Sequence, residues 1–220
     1  MNIIQTWKTN QLPCQYVPFV NSIKQFASNW NYLFFTDNDI EAFMDSIMPE
    51  YKQIFNQFPH KIQKIDFFRY LAVYHYGGVY MDLDILLHKS LDSIIGDPNL
   101  CKFPIELKNI NDTIITRNDF YSLIGNYAFY APPKHPFIKK LIDNIASGRI
   151  TMDDIKLAQS TNGDPDDQVE VYCTTGPIMV TQTYIDYENQ TEILLIEPSP
   201  FKSSYFGSYG KHCSYGTWKS

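Results

Sequence analysis

The stretch YGGVYMDLDILL, residues 76–87, sets two carboxylates, Asp82 and Asp84, among apolar side chains, with the double glycine Gly77-Gly78 just ahead of them. Val79, Tyr80 and Met81 read as a short strand that ends at Asp82. Upstream, HKIQKIDFFRYLAVYHY reads as a helix, apolar nearly all round, that runs to the glycines, where a positive-φ ending is favoured. A buried helix delivering the chain into a buried strand is half of an α/β unit.

The segments before it repeat that alternation. NIIQTW is a strand candidate, VPFVNSIKQFAS a helix and WNYLFFTD a second strand. In DIEAFMDSIM, Ile40, Phe43, Met44 and Ile47 recur at helical spacing, with Asp37 or Asn38 as the expected N-cap. More helical pattern follows Pro49 and breaks at Pro59. The expected fold is therefore α/β, with a Rossmann-like, mostly parallel central sheet and flanking helices, and with ligands gathered at the carboxyl ends of strands.

From Ser90 onward the pattern weakens. NYAFYAPP reads as a strand, PFIKKLIDNIAS as a helix opened by Pro136, TTGPIMVTQTYIDY as a helix behind Gly176-Pro177, and EILLIEPS as a late strand. STNGDPDDQ is expected to be an exposed acidic loop, and the tail SSYFGSYGKHCSYGTWKS a loop without periodicity. With neither repeat nor clear linker, one domain over 1–220 is expected, its first part (1–89) ending in the paired aspartates and its second (90–220) closing on the tail.

Composition narrows the function classes. A chain of 220 residues, 44% hydrophobic, can bury a sizeable core. Its net charge of −6 argues against nucleic acid as a partner, since a phosphate backbone rewards basic surface. MNIIQTWKTN lacks the charge and apolar run of a signal peptide, and no window reaches about 18 apolar residues, so a soluble, cytoplasmic chain is expected, with any membrane contact peripheral. Cys14, Cys101, Cys173 and Cys213 are scattered without a CxxC pair, which signals neither a zinc site nor a disulfide framework.

Two carboxylates at i and i+2 around a strand end can share a divalent ion, because oxygen ligands suit Mg²⁺ and Mn²⁺. A solvated strand-to-loop junction is the alternative, but Ile85, Leu86 and Leu87 follow directly and hold the turn against the core, where unpaired charge is costly. Asp66 and Arg69 sit at i and i+3 on the long helix among Phe67, Phe68, Leu71, Ala72 and Val73. A surface ion pair would explain them; a helix with almost no solvated face instead favours a pair lining a polar cavity.

With these residues in place, KIDFFRYLAVYHYGGVYMDLDILLHKSLD resembles the DxD-containing sugar-binding region of glycosyltransferase family 32, whose pattern runs D-x-x-R-Y-x-x-L-x-x-x-G-G-x-Y-x-D-x-D. IIQTWK is similar to that family's first-strand motif, with Ile4 where His is common, and FTDND to its counterpart after the second strand. NYAFYAPPKHPFI, TTGP and HCSYGTWK resemble later motifs, the last with Thr217 where Ser is usual. The resemblance implies a GT-A type fold and a retaining, metal-dependent transfer of a hexose from a UDP- or GDP-sugar to a saccharide or other hydroxyl acceptor. It implies Asp82 and Asp84 as ligands of Mn²⁺ or Mg²⁺, with His212 as a further ligand from the tail. Asp66 and Arg69 would bind the donor sugar, as similar positions do in the related clostridial toxin glucosyltransferases. Trp7 would stack on the base beside Gln5 and Thr6, and Trp218 would donate to the β-phosphate.

Retention leaves a role open on the far face of the sugar, for which Asn126, Asp164, Asp166 and Asp167 are candidates. A same-face return, in which the departing phosphate takes the acceptor proton, needs none of them. Two other classes compete: a sugar-binding module without catalysis, and a haloacid-dehalogenase phosphatase in which the first Asp of DxD is a nucleophile. The latter normally opens its domain with a longer apolar strand, whereas Asp82 lies far along this chain.

Overall fold

The structure is a computed structural model that describes residues 1–110, 118–198 and 206–216. The first half runs β1 (Asn2–Thr6), α1 (Val17–Phe26), β2 (Asn31–Phe35), α2 (Asp37–Ser46), α3 (Lys52–Gln57), α4 (Lys61–Tyr76), β3 (Gly78–Met81) and β4 (Ile85–Leu87). Then come α5 (Asp92–Ile95), β5 (Cys101–Lys108), β6 (Ser122–Ile124), β7 (Ala128–Ala131), α6 (Pro136–Ala146), α7 (Met152–Thr161), α8 (Asp166–Thr174), α9 (Pro177–Ile185), β8 (Ile193–Ile196) and β9 (Gly210–His212).

The main sheet has the order β2-β1-β3-β7-β5-β6, with β8 pairing β5 from off that path. Pairing is parallel for β1 with β2, β1 with β3 and β5 with β8. The sheet is mixed beyond β3, because β7 runs antiparallel to both β3 and β5, and β6 antiparallel to β5. That reversal matters to the site: with Met81 opposite Ala128, the start of β7 lies beside the carboxyl end of β3.

Strand alternation divides the core into two layers. Ile4, Tyr80 and Phe129 face Phe43, Phe68, Leu71, Phe137 and Val180 of α2, α4, α6 and α9. Ile3, Val79 and Tyr130 face the other way, against Ile23 of α1, Ile85 and Leu87 of β4 and Ile94 of α5. The double glycine is a close-packing requirement as well as a helix stop: Gly78 has φ +109, and a Cβ there would lie 2.2 Å from the Asn2 carbonyl oxygen of β1.

Several elements depart from the sequence reading. Thr36, rather than Asp37 or Asn38, caps α2, through a capping box in which its hydroxyl accepts from the Asp39 N–H at 3.3 Å and the Asp39 carboxylate accepts from the Thr36 N–H at 2.8 Å. STNGDPDDQ is only partly loop: Thr161 ends α7, and Asp166 and Asp167 open α8, where acidic residues suit the positive helix end. Part of the tail is a strand, because β9 finds its partner in β4. Among the described residues no helix is long and apolar enough to cross a membrane.

His135 caps α6, its Nδ1 accepting from the Phe137 N–H at 3.2 Å, which requires that nitrogen to be unprotonated. Burial pushes the imidazole below its ordinary value of 6.5, outweighing the pull of Glu192 and of backbone groups at Asn99 and Glu192. A depressed histidine stabilises the fold fully above the unfolded value and loses that contribution as pH falls from 6.5 through the folded value. Melting temperature should therefore fall more steeply below pH 6.5 in the wild type than in His135→Asn, which keeps a cap acceptor that does not titrate. Parallel slopes would contradict it.

Candidate active site

The helix α4 carries Asp66 and Arg69 into the core, each 3% exposed. Their side chains meet at 2.9 Å. A buried ion pair is tolerable only when its remaining donors and acceptors are met, and most of them are. Asp66 Oδ1 also accepts from the Asn126 side-chain amide at 3.1 Å, and Oδ2 from the Thr175 hydroxyl at 3.0 Å. Arg69 donates to the Asn126 carbonyl at 2.8 Å, and its guanidinium lies over the Tyr80 ring at 4.5 Å. Its Nε has no hydrogen-bond partner among the described residues. Tyr70 links the same groups, donating to the Thr175 carbonyl at 2.8 Å and accepting from the Asn126 amide at 3.0 Å.

From there the network reaches the paired aspartates. Asp82 lies 3.5 Å from Arg69 and accepts from the Tyr80 hydroxyl at 2.8 Å, while its N–H donates to the Tyr127 carbonyl at 2.7 Å. Asp84 is held by the tail: Oδ2 accepts from the Tyr215 N–H at 2.8 Å, and its carbonyl from the Cys213 N–H at 3.0 Å. The antiparallel pairing of β4 with β9 sets Ile85 opposite His212, whose Nε2 comes to 3.4 Å from Asp84 Oδ1. One ligand atom each from Asp82, Asp84 and His212 lies within 4.8 Å of the others. Two carboxylates and an imidazole make a mixed oxygen and nitrogen donor set that can hold a divalent cation.

The electrostatics of these groups differ by surroundings. Burial pushes the Asp66 carboxyl up to about 6 despite Arg69 and its two hydrogen-bond donors. Lost hydration also raises Asp82, beyond what Arg69 and His212 return. For Asp84 the same loss is outweighed by His212 and the Tyr215 amide, which hold it below the ordinary carboxylate value. Burial works against charge on His212, yet Asp84 and Asp82 draw it above its ordinary value.

Part of this network borders one cavity of about 1080 Å³. Thr6, Trp7, Asp66, Arg69, Asp82, Asp84, Asn126, Asp164, Asp167 and His212 line it. Gln5 does not: it is fully buried, and its amide donates to the Met81 and Asp82 carbonyls at 3.3 and 3.2 Å while its oxygen accepts from Tyr32 at 2.8 Å, so it braces the end of β3. Asp166 is not among the lining residues either. Trp7 packs on Tyr16 with ring centroids 4.9 Å apart. Trp218 and Thr217 lie outside the described residues. Sequence reasoning missed Tyr70, Thr175 and Tyr127; all three lie inside motifs already singled out, RY, TTGP and NYAFYAPP, but nothing in the spacing reveals that they meet Asn126, Asp66 and His212.

Residues 1–100 match the family described as "Glycosyltransferase sugar-binding region containing DXD motif". Inositol phosphoceramide mannosyltransferase 1 of Schizosaccharomyces pombe is 35% identical over 147 residues, 66% of this chain and 42% of that protein. The initiation-specific alpha-1,6-mannosyltransferase of Candida albicans is 23% identical over 221 residues, 92% of this chain and 56% of that protein. The chain thus spans 42% and 56% of these two relatives' lengths. The ligand-free glycosyltransferase domain of the YGT toxin superposes with a TM-score of 0.55 at 11% identity, over 88% of this chain and 79% of that one, so the architecture is of GT-A glycosyltransferase type.

The buried network makes a stability test that needs no substrate. Thr175→Val keeps the shape but removes one donor to a carboxylate enclosed among apolar groups, which should cost about 1–3 kcal/mol in urea unfolding. A loss within about 0.3 kcal/mol would mean that Asp66 does not depend on Thr175, since even an ordinary net hydrogen bond contributes about 0.5–1.5 kcal/mol.

Proposed function

We propose that this chain, whose first 100 residues match the DXD-containing glycosyltransferase sugar-binding region, transfers a hexose from a nucleoside diphosphate sugar to a hydroxyl acceptor, with retention and with a divalent cation. The observation that carries the reading is the convergence of Asp82 and Asp84, from the turn between β3 and β4, and His212, from β9, on one point of the cavity next to the Asp66–Arg69 pair. The names of the relatives favour mannose, and hence a GDP-sugar, over a UDP-sugar.

Each residue has a task in this reading. Asp82, Asp84 and His212 hold the cation, Mn²⁺ by preference or Mg²⁺. When bound, the cation offsets negative charge on the departing diphosphate. Arg69, kept charged by Asp82 and Asp66 in spite of its burial, offers the sugar hydroxyls donors in a fixed orientation. The Asp66 carboxylate accepts from another sugar hydroxyl through the lone pairs its three protein donors leave. Trp7, with Thr6 beside it on the cavity wall, stacks on the base. Asn126 is committed by its amide to Asp66 and Tyr70, which supports the same-face return mechanism over a nucleophile at that position.

The test is a panel of nucleotide-sugars with Mn²⁺ and simple saccharide acceptors, read as released nucleoside diphosphate. One donor is expected to be cleaved, faster with acceptor, and Asp82→Asn and Asp84→Asn should each reduce turnover at least about a hundredfold, ~2.7 kcal/mol of transition-state stabilisation. Undiminished release in chelator would overturn the cation assignment, and donor binding without release would make the chain a binding module.

A further inference from the structure

His212 reaches the site from a three-residue strand, Gly210–His212, and an imidazole there has two free side-chain torsions with which to miss the cation. Something must hold its ring. We propose that Tyr127 is the positioning residue of the cation site, orienting His212 with its ring and Asp82 with its main chain; this rests on reading Asp82, Asp84 and His212 as that site.

Three observations carry it. The Tyr127 ring stacks on the His212 imidazole, centroids 4.2 Å apart and planes 18° apart, so the imidazole plane is set by a flat surface. Tyr127 is only 3% exposed, so that surface is itself held by packing. The same residue's carbonyl accepts from the Asp82 N–H at 2.7 Å, which fixes the backbone from which the first aspartate projects. One side chain and one carbonyl thus tie a ligand at the end of β3 to a ligand in the tail, 130 residues later (212 − 82 = 130).

Gly125 completes the arrangement. A Cβ at that position would lie 2.4 Å from Cε1 and 2.9 Å from Cδ1 of Tyr127, so any side chain there would displace the ring from its present place. The chain therefore keeps a glycine where the stacking surface needs room. Groups that orient a metal ligand without touching the metal typically change metal affinity by about 10–100-fold when removed.

The experiment is a titration of the protein with Mn²⁺ alone, followed by electron paramagnetic resonance of the free ion, in the wild type, Tyr127→Phe, Tyr127→Leu, Gly125→Ala, Asp82→Asn and His212→Ala. Tyr127→Phe keeps the ring and should bind within about twofold of wild type, while Tyr127→Leu and Gly125→Ala should bind about tenfold or more weakly. Upfield-shifted His212 ring protons in NMR spectra should move toward ordinary positions in the two weakened variants, a change that general loss of stability does not cause. If Tyr127→Leu does not fold, Gly125→Ala, which leaves Tyr127 present, carries the same expectation. Wild-type affinity in Gly125→Ala or Tyr127→Leu, with His212→Ala weakened, would overturn the role of Tyr127 and leave the cation site standing. Wild-type affinity in both Asp82→Asn and His212→Ala would overturn the cation reading, and the role of Tyr127 with it.

Discussion

The structure depends on an ion pair buried where charge is expensive. Asp66 and Arg69 lie within α4 among side chains that are almost wholly apolar, and each is 3% exposed. Left unmatched, either charge would cost several kcal/mol, on the order of 3–5 kcal/mol once its partner is gone. The fold meets that constraint by bringing Asn126, Thr175 and Tyr80 to the pair from three places in the chain. The pair therefore fixes the walls of the cavity it lines. Chemistry and stability share one set of contacts, which is why an otherwise apolar core tolerates it.

The second organising feature is the tail. β9 adds to β4, and backbone N–H groups of Cys213 and Tyr215 close on Asp84. Tyr215 in turn packs its ring near Tyr16 and Phe19, beside Trp7. The second aspartate of the pair is thus positioned by residues more than a hundred places later in the chain. His212 arrives by the same pairing, so the tail contributes both a candidate ligand and the groups that hold another ligand still.

Much of this was legible in the sequence, for physical reasons. Spacing on a helix with almost no solvated face marks Asp66 and Arg69 as facing a cavity, and a carboxylate pair at a strand end beside Ile85 and Leu87 reads as a candidate cation site. β1, β2, α1, α2 and α4 follow from periodicity, since each spans five residues or more. What stayed hidden is long-range. Nothing local in GKH shows a strand, because three residues carry no alternation and the partner β4 supplies the ladder. Thr175 meets Asp66 across 109 positions, and Tyr127 meets His212 across 85 (212 − 127 = 85), distances over which periodicity says nothing. Gln5, expected beside the base, is spent on the Met81 and Asp82 carbonyls because β3 is short and the carbonyls at its buried end need donors.

The most direct measurement is a crystal of the protein grown with Mn²⁺ and GDP, with diffraction recorded at the manganese absorption edge. An anomalous peak roughly 2.0–2.6 Å from carboxylate oxygens of Asp82 or Asp84 and from the diphosphate, with His212 turned toward it, is the expected result. Bound nucleotide with no peak there, or a peak held by other residues, would contradict the cation site on which the proposed chemistry rests.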